Sequence, residues 1–166
     1  WKYNDFAKLK IENKDSLSLK FYGIKLLQDL ISFHSNDGNP EALIDVDLKR
    51  LKFVRNKSIL ESKDSLYLQA LQNLEKKFIQ TPASTEISFE IAQIHNEKAG
   101  KYQQLVSDEN KWEKKRALSI CKDAIKRFPD SYGANNCNYL ASLIETKSLT
   151  FNVEAGNLPN KPFRAR

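Results

Sequence analysis

The sequence predicts an all-α fold, arranged as an antiparallel array of helical hairpins. Apolar residues recur at the spacing i, i+3, i+4, i+7 through most of the chain, which is the period of amphipathic helices. Glycine and proline number only five each, fewer than a strand-rich fold with many tight turns requires. Most of them stand between the periodic stretches, where they can end one helix or begin the next.

Six helices follow from these patterns, within one predicted helical domain of residues 1–146. Their approximate bounds are 16–34, 40–57, 62–80, 84–100, 110–127 and a last helix from about 131. The residues expected to cap or stop them are Asn39, Pro40, Pro82, Ser84, Gly100, Pro129, Asp130 and Ser131. The residues expected to face inward are Leu19, Gly23, Leu26, Leu27, Leu30, Phe33, Ile44, Leu48, Leu51, Val54, Leu66, Ala70, Leu74, Phe78, Ile87, Ile91, Ile94, His95, Ala117, Ile120, Cys121, Ala124, Cys137, Leu140, Ala141 and Ile144.

The pattern changes at Lys147. Leu149, Phe151 and Val153 alternate with polar residues, which is the period of a β-strand. A segment this short cannot form its own sheet. We therefore expect residues 147–166 to be the start of a truncated β-domain. The sequence also contains no Met, even at position 1, which agrees with a processed or excised piece of a larger protein.

The charge pattern is that of a solvated surface. The formal net charge is +6, and the densest basic run is Lys49, Arg50, Lys52, Arg55 and Lys57, with apolar residues between them. This alternation is typical of one amphipathic helix with a basic outer side. We therefore predict no nucleic-acid partner. No stretch approaches the ~18 consecutive apolar residues of a transmembrane helix, so no membrane span is predicted in this chain.

An internal repeat supports the hairpin array. Ala-Leu, a closing Pro and a Ser two residues later occur twice, 47 residues apart, from Ala70 to Ser84 and from Ala117 to Ser131. The segment Ala117-x3-Cys121-x2-Ala124-x4-Pro129 resembles the second helix of a tetratricopeptide (TPR) repeat. Cys121 stands where that family has an aromatic residue, and the spacing exceeds the TPR period of about 34 residues. A generic helical bundle is the alternative.

Three stretches together resemble the N-terminal helical segment of large bacterial alpha-2-macroglobulin-like proteins. They are residues 42–54 (ALIDVDLKRLKFV), 125–134 (IKRFPDSYGA) and 157–165 (NLPNKPFRA). In that family a TPR-like array leads into the first macroglobulin-type β-sandwich domain, whose start residues 147–166 would form. The resemblance implies an extracytoplasmic protein, in the periplasm or at the cell surface, that inhibits endopeptidases by trapping them.

That resemblance assigns this chain a scaffold or docking role, not the trapping chemistry. The family's thioester motif is Cys-Gly-x-Gln, and neither Cys121 (followed by Lys-Asp) nor Cys137 (followed by Asn-Tyr) matches it. The partners implied are other domains of the same full-length chain, and a protease or another protein. The alternative is a free-standing TPR-like adaptor that binds a peptide or protein in a concave groove.

No arrangement of residues nominates a catalytic, cofactor or metal site. The two histidines, His34 and His95, have no nucleophile or acid at a spacing that would make them catalytic. The glycines are isolated, no His/Cys cluster has zinc spacing, and Asp45 and Asp47 lie two apart on a helix and so face different ways. The chain is therefore predicted not to be an enzyme, with no cofactor.

Cys121 and Cys137 are predicted to face each other. Each lies eight residues from Pro129, so two antiparallel helices joined there bring the two thiols level. Two states remain open. One is a disulfide, which an extracytoplasmic location would permit and which would add about 3 kcal/mol for a loop of this size. The other is a pair of reduced thiols packed as small apolar groups.

Overall fold

A computed structural model of the chain describes residues 2–15, 17–103 and 106–146, and in these ranges the fold is all-helical. The described part contains no β-strand, as predicted for the residues before 147. Its helices are α1 (Tyr3–Ala7), α2 (Leu19–His34), α3 (Glu41–Lys57), α4 (Lys63–Phe78), α5 (Ser84–Ala99), α6 (Glu113–Arg127) and α7 (Tyr132–Glu145). The predicted strand at Leu149–Val153 lies outside the described residues.

Helix α1 was not among the predicted helices. It spans only Tyr3–Ala7, which is too short to show a helical period in the sequence. Its Phe6 is nevertheless buried, with 4% of its surface exposed. The Gln28 side chain on α2 donates hydrogen bonds to the carbonyls of Phe6 and Leu9, both at 2.7 Å, and so ties the N-terminal segment to α2.

The residues that start the helices were predicted with mixed success. Ser131 is the N-cap of α7, and its hydroxyl accepts a hydrogen bond from the amide of Ala134 at 3.3 Å. Ser84 does not cap α5, because it is the first helical residue and is fully buried. Helix α3 begins one residue later than predicted: Pro40 holds the N-cap position, while the Asn39 side chain accepts from the amide of Glu41 at 3.0 Å.

Gly100 was predicted to end α5, at a position where glycine often takes the left-handed conformation. It ends the helix, but with a right-handed φ of −64°. The left-handed residue of the described part is Asn110, with φ 63°, in the connection between α5 and α6. Helix α6 then begins at Glu113, three residues later than predicted. Both Pro82 and Pro129 follow helix ends, as expected.

The inward faces of α2 and α4 were predicted only in part: Leu74 is buried as predicted, and Ala70, Phe78, Leu27 and Leu30 are partly buried against the core. On α2, Leu19, Leu26 and Phe33 are exposed, and the buried positions are Gln28 and Ile31. This helix carries apolar residues around most of its circumference, so the period does not select one side. On α4 the buried residues are Tyr67, Leu71 and Leu74, while Leu66 is half exposed. In α3 the predicted Val54 is also exposed, at 44%.

The predicted repeat does not match residue for residue. Ala117 is fully buried, whereas Ala70, its counterpart in the sequence, is only partly buried; the adjacent Leu71 is the residue that is fully buried. Further along, the counterparts Leu74 and Cys121, also 47 residues apart, are both buried, so the two faces agree with the repeat only in part.

The core consists of three clusters that share helices. An N-terminal cluster joins α1, α2 and α3 through Phe6, Ile31, Leu43 and Val46. A middle cluster joins α3, α4 and α5 through Ile44, Leu48, Leu51, Tyr67, Leu71, Leu74, Ala83, Ile87, Ile91 and Ile94. A C-terminal cluster joins α5, α6 and α7 through Ala92, Ala117, Cys121, Ala124, Cys137, Leu140 and Ala141. Helices α3 and α5 each contribute residues to two clusters. Each cluster is therefore connected mainly to the cluster next to it, as in other helical arrays.

The basic run on α3 is not wholly on the outer side. Arg50 is 5% exposed and donates to Asp47, also buried, at 2.6 Å. Its guanidinium lies 5.0 Å from the centroid of the Phe6 ring, so α1 covers this ion pair. Burial raises the pKa of Asp47, and the neighbouring Arg50 acts in the opposite direction. Within the described residues, no helix is both long and apolar enough to cross a membrane.

Candidate functional site

Alternate helices α3, α5 and α7 line a groove of about 290 Å³ on one side of the molecule. We call it the α3/α5/α7 groove. Its lining residues are Asp45, Leu48, Lys49, Lys52, Glu86, Phe89, Glu90, Tyr132 and Asn136. The groove combines one aliphatic and two aromatic side chains with five charged ones and the amide of Asn136.

Most of the charges in the groove are paired with one another. Lys49 donates to Asp45 and Lys52 donates to Glu90, each at 2.6 Å. The Lys52–Glu90 pair joins α3 to α5, and its carboxylate also accepts from the Tyr67 hydroxyl at 3.4 Å. The pairs therefore neutralise four of the charged residues and fix the spacing of the two helices.

Glu86 is the charged lining residue for which no pair is formed within the described part of the chain. It is partly buried in the first turn of α5. Burial raises the pKa of the Glu86 carboxyl, and the nearby carboxylates Asp45, Glu41 and Glu90 raise it further, while Lys52 lowers it. The groove therefore holds one carboxylate whose charge is not matched locally.

The N-terminal ends of α5 and α7 meet beneath this groove. A Cβ placed on Gly133 would overlap the backbone of Thr85 and Glu86, so only glycine fits at this contact. The hydroxyls of Thr85 and Ser131 hydrogen-bond to each other at 2.8 Å across the same junction. This close contact places Tyr132, the neighbour of Gly133, beside the first turn of α5.

A polar network ties α6 to the α4–α5 pair. The Arg127 guanidinium donates to Ser88 at 2.7 Å and to Ser84 and Glu75 at 3.3 Å, and reaches the carbonyl of Ile79 at 3.4 Å. The Ser88 hydroxyl in turn donates to Glu75. Because Ser84 and Ser88 are fully buried, this network satisfies polar groups that would otherwise destabilise the interior.

The structure brings Cys121 and Cys137 together. Both are free cysteines with no exposed surface, and they belong to the C-terminal cluster. The neighbouring Cys121 thiol, together with burial, raises the pKa of the Cys137 thiol. A buried thiol of that kind is a poor nucleophile, because the thiolate is the reactive form. The structure has the two thiols unbonded, which is one of the two states that the sequence left open.

Each histidine lies beside a carboxylate. His34 contacts Asp37 through its Nδ1 at 2.6 Å at the end of α2. The Nδ1 of His95 contacts Glu113 at 2.5 Å, and Arg116 donates to the other oxygen of that carboxylate at 2.6 Å. The Glu113 pKa is lowered: burial alone would raise it, but His95 and Arg116 outweigh burial. The pair joins α5 to the start of α6 and so fixes the ends of the long connection between them.

These contacts do not form an acid–base site with a nucleophile. Among residues 2–15, 17–103 and 106–146, no Ser, Thr or Cys side chain hydrogen-bonds to either histidine. Over the same ranges, no group of three or more His, Cys, Asp or Glu is placed to hold a metal ion. Asp45 and Asp47 diverge as their spacing predicted, the first toward Lys49 on the surface and the second toward the buried Arg50.

Sequence reasoning did not single out Glu86, Arg127 or Tyr132. Glu86 and Arg127 occupy the first and last turns of helices, where charged residues of these signs commonly stabilise the helix dipole. A sequence therefore offers a sufficient local reason for both. Only the long-range packing of alternate helices reveals that one lines a groove and the other joins buried serines.

No family model matches the chain, and no match was found among curated proteins or solved structures.

Proposed function

We propose that the chain is a non-catalytic docking module, built as an array of antiparallel helical hairpins, that holds an extended polypeptide in the α3/α5/α7 groove. The observation that carries this proposal is the lining of the groove by every second helix. In a stack of helical hairpins, every second helix faces the same side, and such arrays use one side for binding. The short connections at 79–83 and 128–131 support the hairpin arrangement.

Two exposed tyrosines on α7 allow a matched test. Tyr132 lines the groove and is 70% exposed, whereas Tyr139 is 68% exposed and is not part of the lining. Random octapeptides displayed on phage are selected on the whole chain, and the selected peptides are then titrated against Tyr132→Ala and Tyr139→Ala. We expect Tyr132→Ala to weaken binding about tenfold, since aromatic anchors dominate such interfaces. Equal binding by both variants would contradict docking in this groove.

The resemblance to macroglobulin-like proteins supports a more specific proposal for the full-length protein. There this chain is an extracytoplasmic scaffold of an endopeptidase inhibitor, and the trapping is carried by other domains. Two of the stretches with that resemblance form α3 and the connection from α6 to α7. The full-length protein should then protect casein from trypsin while trypsin still cleaves a small chromogenic substrate. Deletion of residues 1–146 should leave the protection of casein in place. If the full-length protein blocks cleavage of both substrates, or of neither, the result would count against a trap.

A further inference from the structure

The α3/α5/α7 groove has an unbalanced charge at one point. Four of its five charged lining residues form the pairs Lys49–Asp45 and Lys52–Glu90. The fifth, Glu86, has no ion-pair partner among the lining residues. The chain as a whole carries a formal net charge of +6, so a negative site in this groove is a local feature. A cationic group is the complement that would restore the balance.

From this charge balance we propose that the polypeptide bound in the groove presents a lysine or arginine side chain to Glu86. The inference rests on the docking function proposed above and names the chemistry of the partner. An acidic side chain is disfavoured at the same place, because both lysines of the groove already have carboxylate partners.

The surroundings of Glu86 also suit a long cationic side chain. Tyr132 lies at the α5–α7 junction, next to the glycine that contacts the backbone of Glu86, and Phe89 lies one turn further along α5. Aromatic faces attract ammonium and guanidinium groups and pack against their methylene stems. The site therefore offers both a carboxylate for the charge and rings for the stem.

A role for Glu86 in starting α5 does not account for these features. A carboxylate in the first turn commonly accepts from a free backbone amide at the helix start. The Glu86 side chain accepts no such bond in the described part of the chain, and the N-cap Ala83 has no side-chain cap. Its raised pKa shows that neighbouring carboxylates and burial disfavour its charge in the unoccupied groove.

The test uses random octapeptides on phage, selected in parallel on the wild-type chain, Glu86→Gln and Glu97→Gln. Glu97 is the control, because it lies on the same helix, is exposed and is outside the groove lining. We expect the wild type and Glu97→Gln to enrich peptides with a fixed lysine or arginine beside an apolar residue. A selected peptide, made synthetically, should bind Glu86→Gln about tenfold more weakly, as expected for loss of one charge-assisted contact.

The outcomes separate this inference from the docking function. If the selected peptides lack basic residues, or bind Glu86→Gln as tightly as the wild type, the charge inference is wrong. Docking still stands in that case when Tyr132→Ala weakens the same peptides. If no selected peptide responds to Tyr132→Ala, the docking function fails as well. Thermal unfolding of Glu86→Gln must show a midpoint no lower than that of the wild type, which excludes misfolding as the cause of lost binding.

Discussion

The middle and C-terminal clusters hold their helices together in different ways. The middle cluster consists mainly of isoleucine and leucine, each of which contributes roughly 1.5–3 kcal/mol when fully buried. The C-terminal cluster consists mainly of alanine and cysteine, whose side chains bury little area. Its helices instead approach closely and are joined by buried polar groups. Helix α5 contributes isoleucines to the first and Ala92 to the second, so one helix uses both kinds of packing.

This difference determines which substitutions each part of the fold tolerates. A core of large side chains accepts exchanges of similar volume, because neighbouring rotamers adjust. A contact set by backbone approach has no side chain that can move away. The α3/α5/α7 groove depends on the second kind of contact, since α7 reaches it only through the close junction with α5. Substitutions in the C-terminal cluster or at the α5–α7 junction should therefore affect both the stability of the chain and the shape of the groove.

The largest effect is expected at Gly133. Gly133→Ala should lower the free energy of unfolding by about 3 kcal/mol or more, because the added methyl meets the backbone of Thr85 and Glu86. Gly38→Ala is the matched control, since a Cβ there has nothing within 4 Å. Urea denaturation followed by circular dichroism measures both. Equal stability of the two variants would show that α5 and α7 are not in close contact.

The reactivity of the buried thiols reports on opening of the same region. In the folded chain Cys121 and Cys137 should react with an aromatic disulfide reagent only after local opening, and faster in Gly133→Ala. After unfolding without reductant we expect two thiols to titrate. None would establish the disulfide, and fast reaction of the folded wild type would contradict burial of the pair.

The faces of α6 and α7 were predictable because each carries one narrow stripe of apolar or small residues, and on α5 the isoleucine stripe was predictable but not its second buried side. Those of α2 and α4 were predictable only in part, because apolar residues occur on several sides and tertiary packing decides which side is buried. Leu66 and Leu71 on α4 illustrate this: both are leucines, but one is half exposed and the other fully buried. The groove was beyond prediction for a related reason, since its residues come from three helices far apart in the sequence.

The next largest effect on stability is expected in the polar network around Arg127. Arg127→Met should cost about 2 kcal/mol, because Glu75 and the buried Ser84 and Ser88 lose their donor. Arg116→Met removes an arginine from the same helix whose side chain is 64% exposed, and Glu113 keeps its contact with His95, so the change should cost less than about 0.5 kcal/mol. Chemical denaturation of both variants gives the comparison. A loss at Arg116 as large as that at Arg127 would mean that the network adds nothing.

A smaller effect tests the two kinds of packing directly. Leu71→Met in the middle cluster keeps the side-chain volume and should cost less than about 1.5 kcal/mol. Ala117→Val adds volume within the C-terminal cluster of small side chains and should cost about 1–3 kcal/mol. Both residues are fully buried, so exposure does not distinguish them. The comparison between the clusters is wrong if Leu71→Met proves the more damaging of the two.

The smallest effect in stability is expected at Glu86, and its pH dependence carries the information. Folding raises the pKa of this carboxyl, so the folded chain binds the proton more tightly than the unfolded chain. The charged carboxylate therefore lowers the free energy of unfolding increasingly as the pH rises through the raised pKa. This destabilisation is absent below the pKa in the unfolded chain, which is about 4.3. Glu86→Gln should equal or exceed the wild type in stability at pH 7, by within about 0.5 kcal/mol, and lose that advantage near pH 4. The favourable effect of a carboxylate in the first turn of α5 opposes this difference, and burial and the three neighbouring carboxylates are expected to outweigh it.

Denaturation of both proteins from pH 4 to pH 8 measures the effect, with Glu97→Gln as the control. A wild type that gains stability over Glu86→Gln with rising pH would show that the fold itself stabilises the charge, and that no partner is needed to balance it.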